Sequence, residues 1–257
     1  MRHLRAVVRI ILIVLSTGTL CVAWLIGSLL GLGSARFREI VRFHIVRTWA
    51  IILTAVMGMK RTVKGSEPLP PFCLVANHLS YVDILLILTR VRGVFISRAD
   101  IRKWPVIGAL TYFSGSIFID RLSAKDVVRV NAQIEKVLAN NQGIIFFPEA
   151  TSTRGAEVAR FKSSLLEYPV QKGIPVHFAA ISYQTMPGDP VAGDAVCWWG
   201  GMTFSNHLYQ LLTIRRFEAL IHFGETPVYG RNRKDLAALL REKTTEIFVP
   251  VIQSDRT

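Results

Sequence analysis

A chain of 257 residues accommodates one sizeable domain plus a small appendage, and nothing in it repeats at a solenoid period. Hydrophobic residues make up 51% of it and the mean hydropathy of +0.35 is high for a soluble protein, with the excess gathered in the N-terminal quarter. Lys and Arg number 31 against 18 Asp and Glu, a net charge of +13 that favours an anionic partner; beside an apolar N-terminus, that partner is a lipid surface rather than a nucleic acid. Cys21, Cys73 and Cys197 are an odd set without pair spacing, which argues against a disulfide framework and a zinc site and suits a reducing compartment.

Arg2, Arg5 and Arg9 precede a run from Ile10 to Leu32 of 23 residues without a charge, about the length needed to cross a ~30 Å hydrocarbon core. The run is too long for a secretory signal and lacks its small-residue cleavage site, so it reads as an uncleaved anchor. The next segment, Phe37 to Met59, carries Arg38, Arg42 and Arg47 in its first half. Its uncharged part is too short to span, which predicts an interfacial helix burying Ile45, Trp49, Ile52 and Leu53; the alternative is a helix packed on the globular domain. Arg36, Arg38, Arg42, Arg47, Lys60, Arg61 and Lys64 follow the first segment and outnumber the three arginines before it. That bias, and equally a hairpin dipping into one leaflet, places the remaining chain on the cytoplasmic face of the cell membrane.

Gly65 to Pro71, with three prolines, reads as the linker into an α/β domain with a mixed sheet covered by helices. Phe72 to Ala76 is a short β-rich run, and a helix continues from Ile84. Between them, Asn77-His78-Leu79-Ser80-Tyr81-Val82-Asp83 sets an imidazole and a carboxylate five residues apart at a strand-to-helix junction. One reading is a helix start in which Ser80 caps and Asp83 completes a capping box. The other is a general base whose tautomer a carboxylate fixes. Strands are then predicted at Gly93–Ser97 and Ser116–Asp120, and a short helix at Trp104–Phe113. A helix opens at Ser123 with Asp126 as its partner, and Val127, Val130, Ile134, Val137 and Leu138 recur at helical spacing before Gly143. Strands follow at Ile144–Phe147, Val176–Ser182, Val196–Trp199 and Glu218–Phe223, with helices near Ser205–Leu212 and from Asn232. His177 reads as a core residue, and His207 and His222 have no carboxylate at a suggestive spacing; Trp198 and Trp199 read as core, with a membrane-interface or acyl-groove role as the alternative.

Asn-His-x-Ser-x-x-Asp at 77–83 resembles the signature of the glycerolipid acyltransferase family, and three further blocks match in order: Gly115 to Arg121, Phe147 to Thr151, and Ile174 to Val176. The resemblance covers roughly residues 65 to 225. With the segment reading above, residues 1–62 are expected as an N-terminal membrane anchor of two apolar helices and 63–257 as an acyltransferase domain. The resemblance implies transfer of a fatty acyl group from acyl-CoA or acyl carrier protein to a lysophospholipid, first of all 1-acylglycerol-3-phosphate, giving phosphatidic acid. His78 is then the base and Asp83 its orienting partner, with Arg121 on the acceptor phosphate and Glu149 and Thr151 shaping the acceptor site. No bound cofactor or metal is implied. Without a Gly-x-Ser-x-Gly elbow, direct attack of the acceptor hydroxyl on the thioester is the simpler chemistry.

One departure bears on the acceptor. Where the family's commonest form is Glu-Gly-Thr-Arg, this chain reads Glu149-Ala150-Thr151-Ser152, so the charge passes to Arg154 or to Lys162. Arg121 can equally serve in a salt bridge with Asp120 or Asp126, and Glu149 in an ordinary turn. Relatives with Ser or Thr at this place acylate other lysolipids, so lyso-ornithine lipid and lysophosphatidylcholine are alternative acceptors. A non-catalytic lipid-binding protein and a lipid hydrolase complete the alternatives.

Overall fold

The structure is a computed structural model that describes residues 1–31, 33–104, 108, 111, 112, 114–120 and 124–252. Its centre is a seven-stranded sheet in the order β1-β7-β6-β2-β5-β3-β4. The strands are β1 (Met59–Lys64), β2 (Cys73–Ala76), β3 (Gly93–Arg98), β4 (Ile117–Ile119), β5 (Gly143–Phe146), β6 (Val176–Thr185) and β7 (Phe217–Phe223). All neighbours pair in parallel except β6 and β7, which makes the sheet mixed. Helices α1 (Arg2–Leu30), α2 (Ala35–Val56), α3 (Val82–Leu88), α4 (Ala124–Ala139), α5 (Glu167–Gln171), α6 (Ala192–Ala195), α7 (Phe204–Thr213) and α8 (Arg233–Ile247) complete the chain.

The central strands are apolar along their whole length because both of their faces are covered, as parallel sheets require. Leu74 and Ala76 of β2 join one core with Ile145, Ile181, Leu86 and Leu211. Cys73 and Val75 point the other way into a second core with Ile144, Phe146, Ile134 and Leu240. Helices α2, α3 and α7 cover the first face, and α4 and α8 the second. Gly143 is fixed by this packing, since a Cβ there would lie 2.0 Å from the Phe72 ring. Helix α4 ends earlier, and Asn141 takes the left-handed backbone with φ 55°.

Strand β1 is absent from the sequence reading. Lys60, Arg61 and Lys64 look like a basic flank, yet Met59–Lys64 forms an edge strand on β7, so it straddles the expected boundary between residues 62 and 63. The expected strand at Val196–Trp199 is not one. These residues follow α6 as a loop in which the Cys197 N–H bonds the Ala192 carbonyl and the Trp198 N–H bonds the Leu79 carbonyl; the run is apolar because it packs over the turn after β2, not because it joins the sheet. The helix expected at Trp104–Phe113 lies largely outside the described residues, as does Ser123. Asp126 accepts from the Asp120 N–H and from Arg129.

Helix α1 is long and apolar enough to cross a membrane, which fits membrane association. Helix α2 packs on the domain: Ala50 and Leu53 belong to the first core, and the Trp49 indole donates to Thr17 of α1 at 3.0 Å. This is the alternative reading of that segment. The two helices form a hairpin whose ends meet, because Arg9 of α1 bonds the carbonyls of Leu212, Ile214 and Arg215 beside Gly58 at the end of α2.

Candidate active site

The end of β2 is carried one residue further by a side chain. Asn77, fully buried, uses its amide to mimic a strand: Oδ1 accepts from the Ile181 N–H at 2.7 Å and Nδ2 donates to the Ile181 carbonyl at 3.0 Å. That pins the chain where it leaves the sheet, and His78 follows at the mouth.

The His78 Nδ1 lies 2.8 Å from Asp83 Oδ2. The same oxygen accepts from the backbone N–H groups of Leu79 at 2.7 Å and Ser80 at 2.9 Å, and Oδ1 accepts the Tyr183 hydroxyl at 2.6 Å. Four polar groups thus converge on a carboxyl group that is 0% exposed, which gives both of its buried oxygens hydrogen-bond partners. With Asp83 as a carboxylate, which only accepts, Nδ1 carries the proton and Nε2 keeps its lone pair. The ring stacks on Phe147 with centroids 4.1 Å apart and planes at 8°, and its side chain keeps 20% of its surface open.

The capping expectation at this turn needs correction. Asp83 does reach back to the Ser80 N–H, but helix α3 begins at Val82 after Tyr81 without a side-chain cap, and the buried Ser80 Oγ has no hydrogen-bond partner among the described residues. The carboxylate serves the turn and the imidazole together. One oxygen, Asp83 Oδ2, makes both contacts.

Similarity to known proteins agrees with this geometry. The acyltransferase family model matches residues 60–182. A lyso-ornithine lipid O-acyltransferase of Pseudomonas aeruginosa is 31% identical over 198 residues, covering 77% of this chain and 75% of the relative. The chain belongs to the acyltransferase family. The 1-acyl-sn-glycerol-3-phosphate acyltransferase of Neisseria gonorrhoeae is 30% identical over 49% of this chain and 52% of its own. The crystal structure of the 1-acyl-sn-glycerophosphate acyltransferase of Thermotoga maritima shares the fold, with a TM-score of 0.65 at 21% identity over 96% of this chain and 98% of that one.

Around His78 and Asp83, the other expected residues fall unevenly. Glu149 is buried, accepts from the Ala159 N–H at 3.3 Å, and is pushed by burial up to about 8, against the pull of the Ala159 and His78 backbone N–H groups. A carboxyl held that high keeps its proton over much of the physiological range, and its buried Oε2 has no hydrogen-bond partner among the described residues. Ala150 follows with φ 66°, the left-handed conformation for which the family's usual glycine is suited. Thr151 is exposed, and the Thr153 N–H bonds the His78 carbonyl at 3.0 Å, which ties this loop to the catalytic turn. The Ser152 hydroxyl donates to the Trp198 carbonyl. Arg154 forms a bidentate pair with Asp194, both contacts at 2.9 Å, and lies over the Trp199 ring. Lys162 is exposed, held by its backbone N–H on the Pro148 carbonyl. Arg121 lies outside the described residues. Among the described residues no three His, Cys, Asp or Glu side chains gather as a metal-binding group.

Sequence reasoning missed Tyr183, Phe147 and the role of Asn77. A tyrosine just after the apolar run Phe178–Ile181 was a usable signal, since a buried phenol needs a partner for its O–H. Tyr81 is similar: its hydroxyl meets His207 Nδ1 at 3.0 Å, and its ring packs edge-on against Trp198 and Phe204. Burial raises the pKa values of both tyrosines and lowers those of His177 and His207. Trp198 thus packs, half-buried, on the turn that carries His78, and Trp199 packs against the first core.

Proposed function

We propose that this enzyme transfers a fatty acyl group from a thioester, acyl-CoA or acyl carrier protein, to the free hydroxyl of a lysolipid by direct attack. His78 Nε2 takes the hydroxyl proton as the oxygen adds to the thioester carbonyl. Asp83 stabilises the resulting imidazolium through Nδ1. Collapse of the tetrahedral adduct breaks the carbon–sulfur bond, and the proton on Nε2 passes to the departing thiolate. The observation that carries this reading is the Nδ1–Oδ2 contact of 2.8 Å, which leaves one open nitrogen of fixed tautomer.

For the acceptor, the reading favours an amino-acid-headed lysolipid of the lyso-ornithine type over 1-acylglycerol-3-phosphate. Support comes from the loop that carries the family's phosphate-facing arginine: here Ser152 bonds the Trp198 carbonyl and Arg154 is neutralised by Asp194. The longest similarities also run to lyso-ornithine lipid acyltransferases. A second reading, 1-acylglycerol-3-phosphate, rests on the shared blocks and on relatives of that name. The hairpin returns both of its ends to the domain, and basic residues flank it, so the catalytic domain is assigned to the cytoplasmic face. The test is purified protein in mixed micelles with an acyl thioester and a panel of lysolipids. Consumption of lyso-ornithine lipid ahead of lysophosphatidate is expected. Faster turnover of lysophosphatidate would favour the second reading, and thioester hydrolysis without an acylated lipid would overturn transfer altogether.

A further inference from the structure

At the root of α1, away from His78, the first turns of the helix and the segment before β7 enclose an open cavity of about 710 Å³. It lies on the sheet edge that bears the catalytic turn, because Phe217 at the start of β7 pairs with Thr185 at the end of β6, and β6 runs parallel to β2. Arg2, Arg5, Arg215 and Arg216 line it, and Asp189 is the one acid among the residues that do. None of these arginines is in an ion pair among the described residues. Like charges so gathered repel one another, so the cluster stores an unmet demand for an anion.

The floor of the cavity is organised for one. Arg5 donates to the Thr213 carbonyl at 2.8 Å, and Arg9 covers the carbonyls of Leu212, Ile214 and Arg215, so the main-chain oxygens of the lining residues Thr213, Ile214 and Arg215 are already engaged. The N-terminus of the 29-residue helix α1 adds the positive end of its dipole. The same turns expose Leu4, Val7 and Val8. Apolar surface beside an arginine cluster suits an anion that carries acyl chains, where a soluble anion would leave that surface wet. We propose that this cavity binds the phosphate of an anionic membrane lipid, at a site apart from the acyl-transfer centre.

The test uses the full chain in maltoside micelles, titrated with dioctanoyl phosphatidylglycerol, dioctanoyl phosphatidylcholine and inorganic phosphate. Saturable binding of phosphatidylglycerol is expected, at least roughly tenfold tighter than phosphatidylcholine, with inorganic phosphate a poor competitor. The variant Arg215→Gln/Arg216→Gln should weaken phosphatidylglycerol binding by about ten- to thirtyfold, at roughly one surface arginine's worth per substitution. Binding of phosphatidylcholine and acyl transfer to a micellar acceptor should not change. Both side chains are exposed, and the fold uses only their backbone, so the variant's melting temperature should match wild type. The proposal is overturned if the two lipids bind alike, if the double variant loses nothing, or if the remote pair Arg231→Gln/Lys234→Gln loses as much. Displacement of the lipid by equal inorganic phosphate would also sink it, by making this a site for free anions. Catalysis is read separately, so failure here leaves the acyl-transfer reading standing or falling by itself.

Discussion

At the scale of single residues, the catalytic turn is a set of hydrogen bonds that share one carboxylate. His78→Ala removes the proposed base and should lower turnover by about 10²- to 10⁴-fold, with native circular dichroism. Near-normal kcat would dismiss the mechanism. Asp83→Asn keeps the volume but loses the charge, so a comparable loss is expected. Tyr183 acts through Asp83: its O–H draws on Oδ1, so Tyr183→Phe leaves more negative charge for the imidazolium and should move the acid limb of the kcat/KM profile to higher pH. Its melting free energy should fall by only about 1 kcal/mol, as for an ordinary hydrogen bond. A limb that stays in place would reduce Tyr183 to packing. Ala150, with φ 66°, pays for its Cβ, so Ala150→Gly should stabilise the fold by up to about 1 kcal/mol in chemical denaturation.

The element whose role changed most is α2. A helix lying only in the interface would lose little by truncation of any one apolar side chain, but Leu53 is part of the core beneath it while Ile51 is exposed. In detergent, Leu53→Ala should therefore cost about 2–5 kcal/mol, and Ile51→Ala within about 0.5 kcal/mol. Equal effects at the two positions would contradict the packing. Removal of residues 1–58 would strip Ala50, Leu53 and Met57 from the first core, so the remaining domain should aggregate rather than become a soluble enzyme. Alternation along β2 explains this dependence: each face of a four-residue strand carries half of its burial, and a helix layer is needed on both.

Across the whole molecule, Glu149 couples stability to pH. Its folded pKa of about 8, against the ordinary 4.5, means that the native state keeps a proton which the unfolded chain releases above pH 4.5. Its contribution to stability therefore falls as pH rises through that window and levels off above 8. Melting temperatures measured from pH 5 to 9 should decline less in Glu149→Gln than in wild type, because the amide does not ionise. Parallel curves for the two proteins would show that Glu149 does not hold its proton.

Local pattern was enough to read the chain's alternation of strands and helices, the apolar first helix, and the start of α8 at Asn232, whose side chain accepts from the N–H groups of Lys234 and Asp235. It also isolated His78 and Asp83, because an imidazole and a carboxylate five residues apart are a local feature. What local pattern misread had its cause at long range. Strand β1 is defined by its pairing with β7, some 158 residues away at Lys60 and Glu218, and its charged sequence shows no alternation of its own. The loop at Val196–Trp199 is apolar because it covers a turn from another part of the chain. Tyr183 stands 100 residues from the carboxylate it serves, and Arg154 is drawn away to Asp194 by a loop that only the fold brings near. Composition and spacing determine which elements form and where an imidazole meets a carboxylate. Only the tertiary structure decides which strand closes the sheet, which phenol supports the carboxylate and which arginine is already spoken for, because those are contacts between residues whose separation in sequence carries no trace of their distance in space.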